Sequence, residues 1–86
     1  MNDHWRVIDN CLIYTGIDFV AFVESANKPN IVMWQVRITK GDGSEDKSVI
    51  INYYYTLGSA VQDVERFFNL SIPEQREQFE MSSRVS

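Results

Sequence analysis

Two stretches of this chain alternate apolar and polar positions with a period of two. In the first, Val32, Trp34, Val36 and Ile38 fall on one side of an extended backbone. Ile31, Met33, Gln35, Arg37 and Thr39 fall on the other. Successive strand side chains point to opposite faces of a sheet, so the first set is expected on a core. In the second stretch Val49, Ile51, Tyr53 and Tyr55 share one face, and Ser48, Ile50, Asn52 and Tyr54 the other. The polar run Gly41-Asp42-Gly43-Ser44 between them carries the residue types of a hairpin turn, so the two strands are expected to pair directly.

Upstream, Trp5-Arg6-Val7-Ile8 and Cys11-Leu12-Ile13-Tyr14 read as extended runs around the turn-capable pair Asp9-Asn10. The pattern fits one bulged strand or two strands of a tight hairpin. Thr15-Gly16-Ile17-Asp18 reads as a turn in which Gly16 supplies positive φ. The short apolar run Phe19–Val23 has the length of a buried strand. Ser25–Asn30, with Pro29 near its end, reads as a loop.

After residue 56 the period changes. Leu57, Ala60, Val61, Val64, Phe67 and Phe68 recur at helical spacing, with Gln62, Asp63, Glu65 and Arg66 expected outward. Ser59 and Gln62 have the spacing of a capping box, and so do Ser71 and Glu74. The second box predicts a short polar helix from Ile72 to about Met81, anchored by Ile72 and Phe79, with a frayed tail over Ser82–Ser86.

These elements predict one α+β domain over residues 1–86: an antiparallel β-meander of three to five strands, then two C-terminal helices, the first packed on one sheet face. The expected core is Val7, Phe22, Val32, Trp34, Val36 and Ile38, then Val49, Ile51 and Tyr53, closed by Val61, Val64, Phe67 and Phe68.

Composition narrows the function classes. Eight Lys and Arg against twelve Asp and Glu give a net charge of −4. That balance argues against duplex nucleic acid, whose binding is driven by cations neutralising phosphates. The chain has no apolar run long enough to span a bilayer and no charged-then-apolar leader, so a cytoplasmic protein with no membrane partner is expected. The single cysteine, Cys11, excludes an intrachain disulfide.

Catalytic chemistry finds few carriers. Cys11 and His4 would need an orienting group and oxyanion donors, and a free cysteine in an apolar run usually packs as a small hydrophobe. One Cys and one His are too few for a structural zinc. Asp42, Ser44 and Asp46 alternate like the start of a calcium loop, but Tyr53 stands where the bidentate Glu is required. Phe19 and Phe22 are three apart and point to opposite sheet faces, unlike the paired aromatics of an RNA-binding sheet. No catalytic constellation emerges, and no cofactor or metal is expected.

Helices on one sheet face leave the other open. The expected open face carries Ile31, Met33, Ile50 and Tyr54, rimmed by Gln35, Arg37 and Asn52. Tyr, Met and Arg are enriched in protein interfaces. The sequence therefore points to a small acidic interaction module of inhibitor, immunity or accessory type. It would bind a partner protein, or itself as a homodimer, through Ile31, Met33, Arg37, Ile50, Asn52 and Tyr54. The alternatives are single-stranded nucleic acid or a nucleotide stacked on the tyrosines, and a small molecule held between sheet and helix. Acidic positions Asp63, Glu65, Glu74, Glu77 and Glu80 offer a second face for a basic partner.

Overall fold

A computed structural model describes residues 4–28, 31–41 and 48–85. Five strands, β1 (Trp5–Ile8), β2 (Cys11–Thr15), β3 (Phe19–Lys28), β4 (Ile31–Lys40) and β5 (Ser48–Tyr54), form one sheet in sequence order. Every neighbouring pair is antiparallel. Helices α1 (Leu57–Phe68) and α2 (Ile72–Val85) follow and pack on one face. The expected α+β meander with two C-terminal helices is the fold observed. Among the described residues no helix is long and apolar enough to cross a membrane.

The first two runs are a hairpin. Ile8 pairs with Cys11, and both intervening residues adopt positive φ, Asp9 at 50° and Asn10 at 63°, as a two-residue type I′ turn requires. Asp and Asn tolerate that region better than other side chains. β3 continues to Lys28, which pairs with Ile31, so the expected loop from Ser25 is strand instead. Of the turn read at Gly41–Ser44 only Gly41 is described, with φ of 85°; the position of Pro29 and the calcium-like Asp42, Ser44 and Asp46 lie outside the described residues.

Phe19, Ala21, Val23, Val36, Ile38 and Val49 project from the sheet against Ala60, Val64 and Phe67 of α1 and Phe79 of α2. The Phe19 ring meets Phe67 edge-on at 5.6 Å and Phe79 at 5.0 Å. Tyr14 stacks on Phe68 at 4.3 Å and receives Trp5 edge-on at 5.1 Å. Aromatic pairs in these geometries add about 0.5–1.5 kcal/mol each beyond area burial.

The expected core needs four corrections. Val7 and Val32 are 63% and 75% exposed. Val32 lies near the start of β4, whose ten residues run about 33 Å against about 18 Å for the twelve of α1, and Val7 lies beside the Asp9–Asn10 turn on the edge strand β1, beyond the helical layer. Phe22 and Tyr53 lie on the face away from the helices. Phe22 does so because the alternation of β3 commits Phe19, Ala21 and Val23 to the core. Tyr53 does so because of a β-bulge.

That bulge decides which tyrosine faces where. Arg37 pairs with Ile50 and Val36 with Asn52, so Ile51 is the extra residue. Parity inverts beyond it. Asn52 and Tyr54 turn toward the helices and Tyr53 toward the open face, opposite to the strict alternation of the sequence.

The first helix starts earlier than Ser59. Thr56 is its N-cap and accepts from the Ser59 N–H at 3.1 Å. The second capping box forms as expected: Glu74 Oε1 accepts from the Ser71 N–H at 3.2 Å, and Ser71 Oγ from the Glu74 N–H at 3.4 Å. α2 extends past Met81 to Val85 and docks through Phe79 and Gln75. Arg76 donates to Asp18 Oδ2 at 2.7 and 2.9 Å, linking α2 to the β2–β3 turn.

Candidate functional site

The face of the sheet opposite the helices carries one continuous row across four strands. Ile13 on β2 pairs with Phe22 on β3, Phe22 with Arg37 on β4, and Arg37 with Ile50 on β5. Arg6, opposite Ile13, extends the row to β1. The Arg37 Cζ lies 4.4 Å from the centroid of the Phe22 ring, a cation–π contact. Its Nε donates to Glu24 Oε1 at 3.2 Å and its Nη1 to Ser48 Oγ at 3.2 Å. Gln35 Nε2 donates to the same Glu24 oxygen at 2.7 Å. Thr39 Oγ1 and Ser48 Oγ share a further hydrogen bond of 2.9 Å. The guanidinium is thus held over an aromatic ring with its side chain 18% exposed. It is pre-organised and loses little freedom when something covers it.

Around this row lie Met33, half-buried, Ile31 at the end of β4, and Tyr53 beside Gln35. Cys11 is half-buried on the same face, since its neighbour Leu12 pairs with Val23 toward the core. Burial pushes its thiol above the ordinary value, Glu24 adds to the rise, and Arg37 opposes it. That thiol is therefore a weak nucleophile at neutral pH.

Of the residues expected on the open face, Ile31, Met33, Arg37 and Ile50 are there. Asn52 and Tyr54 are not: the bulge at Ile51 turns both toward the helices. Tyr54 Oη donates to Asp63 Oδ2 on α1 and packs against the core cluster. Burial and the Asp63 carboxylate raise the Tyr54 pKa, while Arg66 and Asn52 oppose the shift. Phe22, Ile13, Glu24 and Tyr53 are on the face and were missed as site residues. The signal for Phe22 was present, because its three-residue spacing from Phe19 forces one of the two out of the core.

Other expected arrangements are dispersed. Tyr53 and Tyr54 lie on opposite faces and Tyr55 is 74% exposed beyond the strand, so the tyrosines form no single stacking platform. His4 stacks on Tyr14 at 5.1 Å, with Nδ1 3.1 Å from the Thr15 carbonyl oxygen. It sits at the open end of the β1–β2 hairpin, whereas Cys11 adjoins the turn, so the two are not brought together. Asp63 and Glu65 do not simply face solvent. Asp63 takes the Tyr54 hydroxyl on β5, and Glu65 Oε2 accepts from Trp5 Nε1 on β1 at 3.4 Å. No family model, no curated protein and no solved structure matches this chain.

Proposed function

We propose that the protein is a small acidic protein–protein interaction module, of inhibitor, immunity or accessory type, acting through the open face of its sheet. The observation that carries this reading is the row Ile13, Phe22, Arg37 and Ile50, with Arg37 clamped on Phe22 by Glu24 and Ser48. Apolar side chains flanking a pre-organised arginine have the chemistry of an interface hot spot, where aromatic and arginine anchors dominate. Ile50 is 43% exposed, so the row meets solvent directly. The expected partner surface is therefore redrawn as Ile31, Met33, Arg37 and Ile50 together with Ile13 and Phe22. The partner is another protein, or a second copy of this chain.

The test compares wild type, Ile50→Glu on the open face, and Glu77→Lys on the exposed side of α2. Each is used for a nuclease-treated pull-down from host lysate and for sedimentation equilibrium of the pure protein. Stoichiometric capture or self-association retained by Glu77→Lys and lost in Ile50→Glu supports the reading. Equal behaviour of Ile50→Glu and wild type overturns it.

A further inference from the structure

On the opposite side of the sheet, a cleft of about 300 Å³ opens between β4, β5 and both helices. Its floor is apolar, formed by Val36, Ile51, Val64, Phe67 and Leu70. Among the described residues its polar lining is Asp63, Arg66 and Gln78. Protein interiors of this size hold few voids larger than a water molecule. An apolar cleft with a few convergent polar groups, at the small end of the roughly 300–1,000 Å³ range of ligand sites, is the form such a site takes.

The polar groups define the ligand. Asp63 is already committed: Oδ2 accepts from Tyr54 Oη, and Oδ1 accepts from Arg66 Nη1 at 2.7 Å. Its charge is thus answered from within the chain, which disfavours a cationic guest. Arg66 uses one nitrogen for that bond while its side chain is 75% exposed. A guanidinium has five N–H donors, which leaves others to meet an anion, and its fork matches a carboxylate. The cleft volume corresponds to roughly ten water-sized groups at about 30 Å³ each. We propose that this cleft binds a small amphipathic carboxylate, its aliphatic or aryl body against Ile51, Val64, Phe67 and Leu70 and its head on Arg66.

The site is independent of the open sheet face, so either proposal can fail alone. The test titrates octanoate, octylamine and octanol, each below its micellar concentration or solubility limit, into isotopically labelled protein followed by amide chemical shifts. The proteins are wild type, Arg66→Gln and Lys40→Gln. The last removes one positive charge from an exposed position at the end of β4, outside the cleft and the open-face row. The expected result is saturable shifts with octanoate centred on Ile51, Val64 and Leu70. Arg66→Gln should weaken binding about tenfold, as expected for loss of one hydrogen bond to a charged group, and Lys40→Gln should leave it unchanged. Absence of saturable shifts, equal binding by Arg66→Gln and wild type, or octanol or octylamine binding as tightly as octanoate would each overturn the proposal.

Discussion

Tyr54 on the last strand donates its hydroxyl to Asp63 in the second turn of α1. On the same helix Glu65 accepts from the indole of Trp5 on β1. The helix is therefore held to both edge strands of the sheet, by polar bonds at the margins of an apolar contact.

Tyr54→Phe removes the first of these bonds and leaves the ring in place. Unfolding by denaturant should show a loss of about 1–2 kcal/mol, since the acceptor is a charged carboxylate at a partly buried site. The pH dependence has a defined sign. The Tyr54 pKa is raised in the fold, chiefly by burial and then by Asp63, so the protonated phenol is favoured there. Its stabilisation is fully present below the ordinary tyrosine pKa and is lost as pH rises beyond it. The difference in melting temperature between wild type and Tyr54→Phe should narrow as pH rises above about 10. A constant gap would show that the hydroxyl is not linked to folding.

Gly16 is required for space rather than for φ. It is absent from the positive-φ residues, but a Cβ built on it would stand 2.3 Å from Phe68 Cε1 and 3.0 Å from the Phe19 carbonyl oxygen. The Phe68 ring is held between Tyr14 and Phe67 and has little freedom to move aside. Gly16→Ala should cost about 1–3 kcal/mol by calorimetry, the range for overpacking. Gly58→Ala, where a Cβ meets nothing within 4 Å, is the control and should be neutral or stabilising.

Gln75 is 3% exposed, and its Nε2 donates to the carbonyl oxygens of Leu70 at 3.0 Å and Phe68 at 3.4 Å. It caps the end of α1 from the first turns of α2, and its Oε1 has no hydrogen-bond partner among the described residues. Gln75→Ala removes the amide donor from two partly buried carbonyls and should cost about 1–3 kcal/mol in denaturant unfolding. A neutral result would mean that water replaces the amide.

The carboxylate of Glu74 is held below its ordinary value by hydrogen bonds from Ser71, first from the hydroxyl and then from the backbone N–H. A carboxylate with a depressed pKa contributes stability above its unfolded pKa and loses it as pH falls through the folded one. The melting temperature of Glu74→Ala should therefore lie below wild type at pH 7, and the two should converge below about pH 4. Parallel curves would remove the capping box as a source of α2 stability.

Cys11 reports on the open face. Its raised pKa predicts slow alkylation at pH 8 compared with an unhindered thiol, with the rate rising at higher pH than usual. Saturating partner, or self-association through this face, should slow the reaction further. Modification at an unchanged rate in the complex would place the contact elsewhere.

The strand and helix periods were legible because they are local. Period two over Ile31–Thr39 and the helical repeat from Ala60 to Phe68 follow from backbone geometry alone, as does the Ser71–Glu74 cap. The alternation also indicated that Arg37 and Ile50 share a face, because both precede the bulge in register. Beyond the bulge the pattern misled. Three consecutive tyrosines fit either parity, and a single inserted residue reverses Tyr53 and Tyr54.

By itself the sequence indicated an antiparallel meander of three to five strands before two helices, and a sheet face turned away from those helices. Each of these is set by residue periods and short connections. Only the tertiary structure decided that Phe22 rather than Tyr54 stands on that face, and that Trp5, Tyr14 and Phe79 close the core. It alone brought Asp63 and Glu65 of α1 to Tyr54 and Trp5 on the two edge strands. These outcomes depend on where a helix shorter than the strands comes to rest and on one extra residue at Ile51. Both are non-local, set by packing between segments that no sequence window contains together.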